Sequence, residues 1–306
     1  MLNCEQPATE NIFSYNAYIN TISHFLCCLM SLFISSLNSG SNGNCYYVGN
    51  NDEAILVDVG ISCREVEKRL VRLGTSIHKI KAIFISHEHS DHIRGLSVLS
   101  QKYQLPVYIT SATLANGRIA LENNLVKSFC SEKPVCIGGL TVYAFAKHHD
   151  AADPYSFLVS CNNTRVGVFT DIGKPCHQLI SHFKTCNAAF LEANYDEAML
   201  TNGNYPYHLK ARIRGGNGHL SNVQALDIFK NHRSPQLTHL FLAHLSKNNN
   251  CPVLVQNLFT DCANGVQVII AGRYQETPMY HVVSTTEAKP GVRRFTRPTQ
   301  LSFVFN

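Results

Sequence analysis

Apolar residues recur along this chain in short runs, each ended by a polar or glycine-rich connection. Leu32–Leu37, Cys45–Val48 and Ala54–Val59 read as strands, the last two joined by an Asn-Asn-Asp turn. Ser62, with Glu65 three residues on, predicts a capping box for a helix that runs to Gly74. Lys79–Ser86 is the next strand, followed by a helix to about Gln104, strand Val107–Thr110 and a helix capped by Ser111. Leu140–Ala146 is a strand, and Phe157–Ser160 with Arg165–Thr170 form a hairpin around Asn162-Asn163. Ala188–Ala193, Leu240–Ala243 and Val266–Ala271 are further strands, separated by helices over Ser221–His232 and Pro252–Asn264. Strands thus fall in two blocks, each interleaved with helices. That predicts an α/β protein with two sheets face to face and helices outside, a four-layered αββα sandwich.

The two ends read differently. Tyr18–Leu37 is fairly apolar, but serines interrupt it and no Lys or Arg precedes it, which argues against a signal peptide or membrane anchor. The expected organisation is an extension or misplaced start over residues 1–29, a catalytic domain over 30–284 and a tail over 285–306. With 306 residues, 45% hydrophobic and 15% charged, the chain has material for a sizeable core. A net charge of +5 permits a polyanionic partner without requiring one. Twelve cysteines with no C-x-x-C pair point to reduced thiols in a cytoplasmic protein rather than to a zinc ribbon. Fifteen histidines against four methionines and no tryptophan point to metal chemistry.

That chemistry concentrates in residues 83–95. An apolar strand opens into His87, His89, Asp91 and His92, all ligand-type side chains. In extended backbone His87 and His89 project the same way and can grip one ion. Asp91 and His92 follow where the chain turns into a helix, placed to face a second. Imidazole and carboxylate suit zinc, manganese or iron. Further ligand-type residues stand where other apolar strands meet loops: Asp58, His149 and Asp150, Asp171, and His244. His148 competes with His149 for one of these places.

The His-x-His-x-Asp-His run and the order of these residues resemble the metallo-β-lactamase superfamily, which implies the metallo-β-lactamase fold and a two-metal site. On that resemblance His87, His89 and His149 hold one divalent ion, Asp91, His92 and His244 the other, and Asp171 bridges them. Asp58 supports the His loop rather than binding metal. Ser39–Cys45, His149–Pro154, Leu191–Asp196, Gly218–Asn222 and His244–Asn249 resemble, more narrowly, the bacterial YycJ/WalJ-like proteins, regarded as DNA exonucleases. This implies supporting or phosphate-contacting roles for Asp150, Glu192, Ser221 and Asn222. His219, on a glycine-rich turn into a helix, is expected to contact the scissile phosphate or protonate the leaving oxygen, and Asp91 to be catalytic as well as a ligand.

Two ions, Zn2+ or Mn2+, would share a hydroxide and aim it at an electrophile. The expected substrate is DNA, hydrolysed from an end, with no membrane partner. Lys210, Arg212 and Arg214 are candidates to track a phosphate backbone, or a solvated helix face. The 73 positions between Asp171 and His244 leave no room for the large inserted domain of ribonuclease J-type proteins. The alternative within the fold is hydrolysis of a small ester, thioester or lactone. A non-catalytic or redox role conflicts with the complete His/Asp set, since His89 stands where redox di-iron members carry an acidic residue.

Overall fold

Alternate residues of the first strands point to opposite faces, and both faces are buried. Leu32, Ile34, Tyr46, Val48, Ile55, Val57 and Phe84 turn towards a second sheet, whereas Leu37, Tyr47, Leu56 and Ile83 turn towards helices. A computed structural model of the chain describes residues 31–284. The boundary near Met30, the extension 1–29 and the tail 285–306 lie outside the described residues.

The first sheet takes β1 (Ser31–Asn38), β2 (Cys45–Gly49), β3 (Ala54–Val57), β4 (Ile80–Phe84), β5 (Val107–Tyr108) and β6 (Val126–Lys127). The second takes β7 (Val135–Ile137), β8 (Leu140–Ala146), β9 (Tyr155–Cys161), β10 (Thr164–Phe169), β11 (Ala188–Glu192), β12 (His239–Ala243) and β13 (Gln267–Ile270). The last strand, β14 (Tyr280–Val283), returns to pair antiparallel with β1, so the orders are β14-β1-β2-β3-β4-β5-β6 and β13-β12-β11-β10-β9-β8-β7. The helices are α1 (Cys63–Arg72), α2 (Ser90–Ile93), α3 (Leu96–Tyr103), α4 (Ser111–Asn116), α5 (His177–Phe183), α6 (Glu197–Asn202), α7 (Tyr207–Arg214), α8 (Asn222–His232) and α9 (Pro252–Thr260). α1 and α3 cover the first sheet, and α5, α8 and α9 cover the second. The sandwich is therefore αββα. Among the described residues no helix is long and apolar enough to cross a membrane.

Phe84 shows how the layers lock. It stacks on Tyr108 at 4.6 Å and meets Phe157 of the other sheet edge-on at 5.6 Å. Parallel pairing runs through β3–β6 and through β10–β13, so the carboxyl ends of both parallel blocks come to one edge of the sandwich. Asp58, Ser86–His92, Asp171, Glu192 and His244 all lie at those ends. The topology, more than any one loop, builds the site.

Several elements differ from the sequence reading. The helix expected after Ser86 is two pieces, α2 and α3, because at Gly95 the chain presses on the preceding loop: a Cβ there would lie 1.9 Å from the Ile61 carbonyl oxygen. Thr110, not Ser111, caps α4, its side chain accepting from the Thr113 amide. Ser62 accepts from the Glu65 amide, but the Glu65 side chain pairs with Lys68 and Arg69, so only half of the box forms. The full capping box is at Ser221, with Gln224.

Candidate metal centre

Three residues at strand ends take left-handed backbone: Asp58 (φ 61°), Asp171 (φ 54°) and His244 (φ 56°). Non-glycine residues there cost on the order of 1–3 kcal/mol, though Asp and His tolerate the region better than most. Each such turn directs a side chain out of its strand towards the shared edge. The His loop is seated against the turn after Asp58. Gly60 packs so closely that a Cβ would lie 1.7 Å from the Asp91 carbonyl oxygen, and Asn44 N donates to that same oxygen at 2.7 Å.

Hydrogen bonds then set which nitrogen of each ring is left open. His92 Nδ1 donates to Asp58 Oδ2 at 2.7 Å. Ser86 Oγ also donates to Asp58 Oδ2 at 2.8 Å, so its lone pairs are free for His87 Nδ1–H at 2.9 Å. His149 Nδ1 donates to the Gly218 carbonyl at 3.1 Å, and His244 Nδ1 to Glu192 Oε1 at 2.9 Å. In all four rings Nδ1 is the nitrogen committed to a second residue, which leaves Nε2 as the one that faces the site.

Those Nε2 atoms converge. His87 Nε2 and His149 Nε2 lie 3.1 and 3.3 Å from His89 Nδ1. His92 Nε2 lies 3.2 Å from Asp171 Oδ2, His244 Nε2 lies 3.5 Å from Asp91 Oδ2, and His149 Nε2 lies 3.8 Å from Asp171 Oδ1. Asp171 therefore stands between a three-histidine group and the group Asp91, His92, His244. Asp171 Oδ2 and His244 Nε2 are buried with no hydrogen-bond partner. Orphaned acceptors and converging lone pairs repel one another unless a cation lies among them, so the donor set fits divalent metal.

Charge points the same way. Burial holds His149 down to about 3 and His87 well below its ordinary value, which is the neutral form a metal accepts. Burial also opposes charge on His92 and His244, yet carboxylates overcome it. Asp171, Asp58 and Asp91 push His92 well up, and Asp171, Asp91 and Glu192 push His244 up to about 10. A site this rich in carboxylate holds a proton where a metal would supply the positive charge.

A cavity of about 350 Å³ opens over these groups, lined among others by His89, Asp91, Asp171, His219, His244 and Arg212. His219 Nδ1 lies 2.8 Å from Glu192 Oε1, which leaves Nε2 as its free nitrogen. Glu192 Oε2 accepts from the amides of Ile172 and Leu220, so one buried carboxylate ties together β10, β11, His219 and His244. Burial would raise its pKa, but His219 and His244 bring it down to about 2. Gly218 is required here: a Cβ would come within 2.2 Å of two carbonyl oxygens at the end of α7.

The structure separates some of the sequence candidates. His149 is buried and His148 exposed. Asp150 does not line the cavity; its Oδ2 is bound by Arg212, and its buried Oδ1, with no hydrogen bond, lies 3.5 Å from His149 Nε2. Ser221 and Asn222 are fully or almost fully buried and do not line the cavity. Ser221 is spent on capping α8, and Asn222 pairs with Asn250, so phosphate contact by either is corrected to support of the His219 turn. Of the three basic candidates on α7, only Arg212 lines the cavity, while Lys210 and Arg214 bind Thr201. Asn44 was not singled out from sequence, yet its Nδ2 lies 3.0 Å from His92 Nε2 and donates to Asp91 Oδ2 at 3.2 Å. Asn194, which donates to the His244 carbonyl at 2.8 Å, was missed too. Both lie within the segments Ser39–Cys45 and Leu191–Asp196 that carry the narrower resemblance, which gave no role to either asparagine.

The metallo-beta-lactamase superfamily profile matches residues 39–183. "Exodeoxyribonuclease YycJ" of Bacillus anthracis is 35% identical over 232 residues, covering 74% of this chain and 87% of that protein. "Exodeoxyribonuclease WalJ" of Streptococcus pneumoniae is 31% identical over 225 residues, 71% of this chain and 82% of its own. Among solved structures, the metallo-beta-lactamase fold protein YhfI of Bacillus subtilis superposes with a TM-score of 0.63 at 18% identity, over 82% of this chain and 99% of that one. Zn(2+)-bound PqqB of Methylobacterium extorquens gives 0.63 at 13% identity, over 80% and 99%. At those identities the superpositions speak for the fold alone.

Proposed function

The chain belongs to the metallo-β-lactamase superfamily and is a metal-dependent hydrolase, and from that premise we propose that it is a two-metal phosphodiesterase that degrades DNA from an end. One observation carries the metal reading: four imidazoles have Nδ1 committed to a second residue, and their Nε2 atoms converge on two adjoining groups of ligand-type atoms. In this reading His87, His89 and His149 would hold one ion and Asp91, His92 and His244 the other, with Asp171 placed between the two groups as a further ligand. Zn2+ and Mn2+ both suit the donor set. Bound there, divalent ions supply Lewis acidity to phosphoryl oxygens and bring the pKa of water near neutral.

The chain's own groups do the rest. Asp58 and Glu192 keep the rings oriented, and Asn44 steadies Asp91, whose second role is to orient the attacking water. His219, with Nδ1 held by Glu192, has Nε2 free, and when doubly protonated it can donate from Nε2 to a phosphoryl oxygen or give that proton to the leaving oxygen. Arg212 at the rim offers a guanidinium to a phosphate, in exchange for its pairing with Asp150. DNA as substrate is supported by the two relatives named exodeoxyribonucleases, each matched over most of its length. We place the reaction in the cytoplasm, where a reducing pool maintains buried free thiols such as Cys45, Cys63 and Cys186.

The test is degradation of an end-labelled DNA duplex with Mn2+, by the wild type and by Asp91→Ala purified identically. Loss of label in the wild type alone supports the proposal. No loss in either, from protein shown to carry two metals and to turn over a chromogenic ester, would replace it with the small-ester reading.

A further inference from the structure

Beside the reaction cavity lies a second one of about 310 Å³, and Ser246 lines both. It is lined by the apolar Leu245, Pro252 and Ile270 together with Lys247, Arg273 and Tyr274. None of these residues takes part in the metal centre. Tyr274 is 67% exposed, so its ring is accessible to a stacking partner. Lys247 is exposed and makes no ion pair among the described residues.

Arg273 is the more telling cation. Its guanidinium is partly buried between the first loop and the strand carrying His244, donating to Asn42 Oδ1 at 3.1 Å and to the Leu245 carbonyl at 2.6 Å. Asn42 Nδ2 in turn donates to the Arg273 carbonyl at 2.7 Å. Gly40, at φ +124°, allows this contact, since a Cβ there would come within 2.8 Å of Nη2. Among the described residues no carboxylate forms an ion pair with Arg273. A partly buried guanidinium with neutral partners and spare N–H donors, next to a free lysine, is a place for an anion.

Building on the nuclease reading, we propose that this cavity is a nucleotide subsite next to the reacting phosphodiester: an unpaired base stacks on Tyr274 against Pro252 and Ile270, and its phosphate is held by Lys247 and Arg273. A base inside a duplex has both faces covered, so a single tyrosine platform selects a strand whose end is already single. The strand would then run from Tyr274 past Ser246 into the metal centre.

The experiment is fluorescence-anisotropy binding of a labelled single-stranded oligothymidylate with phosphorothioate linkages to the full chain, loaded with Mn2+, over a salt series. Tyr274→Ala is expected to weaken binding roughly five- to hundred-fold, the range of one lost base stack, and Tyr274→Phe to restore it. Lys247→Ala is expected to lower the slope of log K against log salt by about 0.7, one phosphate contact. Lys230→Ala, on the exposed face of α8, is the charge-matched control and should leave both unchanged. Equal affinities and slopes in wild type, Tyr274→Ala and Lys247→Ala, from a wild type that degrades the unmodified strand, overturn the subsite and leave the nuclease reading standing. A wild type that degrades the end-labelled duplex but neither binds nor degrades the strand also overturns the subsite alone, and one that degrades neither overturns the nuclease reading itself.

Discussion

Replacing Glu192 by Gln changes one atom and tests how the second ion is held. Glu192 Oε2 receives two backbone N–H groups, from Ile172 at 2.7 Å and Leu220 at 3.2 Å, and Oε1 receives Nδ1 of His219 and His244 at 2.8 and 2.9 Å. An amide has one oxygen to offer. With its NH2 against the two backbone donors, it would leave two buried N–H groups unpaired, at about 1–3 kcal/mol each. The favoured orientation therefore keeps oxygen on the amides and turns NH2 towards the imidazoles. Those Nδ1 atoms must then accept, so the proton moves to Nε2. On His244, Nε2 is the buried atom without a partner, 3.5 Å from Asp91 Oδ2. Protonating it removes the lone pair offered to metal. Lost second-sphere partners lower metal affinity by about 10–100-fold, or about 1.4–2.7 kcal/mol. The assay is competition of apo protein with a chromogenic chelator, with thermal melting alongside to show that the fold survives. Glu192→Gln is expected to keep one tight equivalent and weaken the other. Two equivalents at wild-type affinity would refute the argument that Glu192 sets the His244 tautomer.

Other perturbations follow from the same contacts. Asp58→Ala strips the acceptor from Ser86 N, Ser86 Oγ and His92 Nδ1 at a fully buried position, and should cost about 3–5 kcal/mol in urea unfolding together with metal content by elemental analysis. Gly60→Ala places a methyl 1.7 Å from the Asp91 carbonyl oxygen, so it should displace the His loop and abolish activity, with a lowered melting temperature in a scan. Phe84→Ala, buried between the sheets and far from any ligand role, should cost about 3–5 kcal/mol in the same unfolding assay. Chelation followed by re-addition of Mn2+ should remove and restore hydrolysis, read on the labelled duplex.

The ligand-type residues were legible because each sits at a sequence boundary with its own local signal: an apolar strand that stops on Asp or His. The same periodicity exposed the two strand blocks, and hence the sandwich. What was not legible is everything that gives those rings their direction. Glu192 and His244 are 52 positions apart, His149 and Gly218 are 69, and Asn44 and His92 are 48, so no local pattern marks their contacts. The short parallel strand β6 escapes for a related reason, since two residues have no period. Ser221 shows the converse error. A serine after a glycine-rich turn suits both a phosphate and a helix cap, and only the amide of Gln224 at 3.2 Å decides between them. Residue type thus announces which chemistry is possible, while the tautomer that permits it is set by long-range hydrogen bonds. A chain keeping all seven ligand-type residues but losing Asp58, Ser86 and Glu192 would carry the same motif and bind metal poorly.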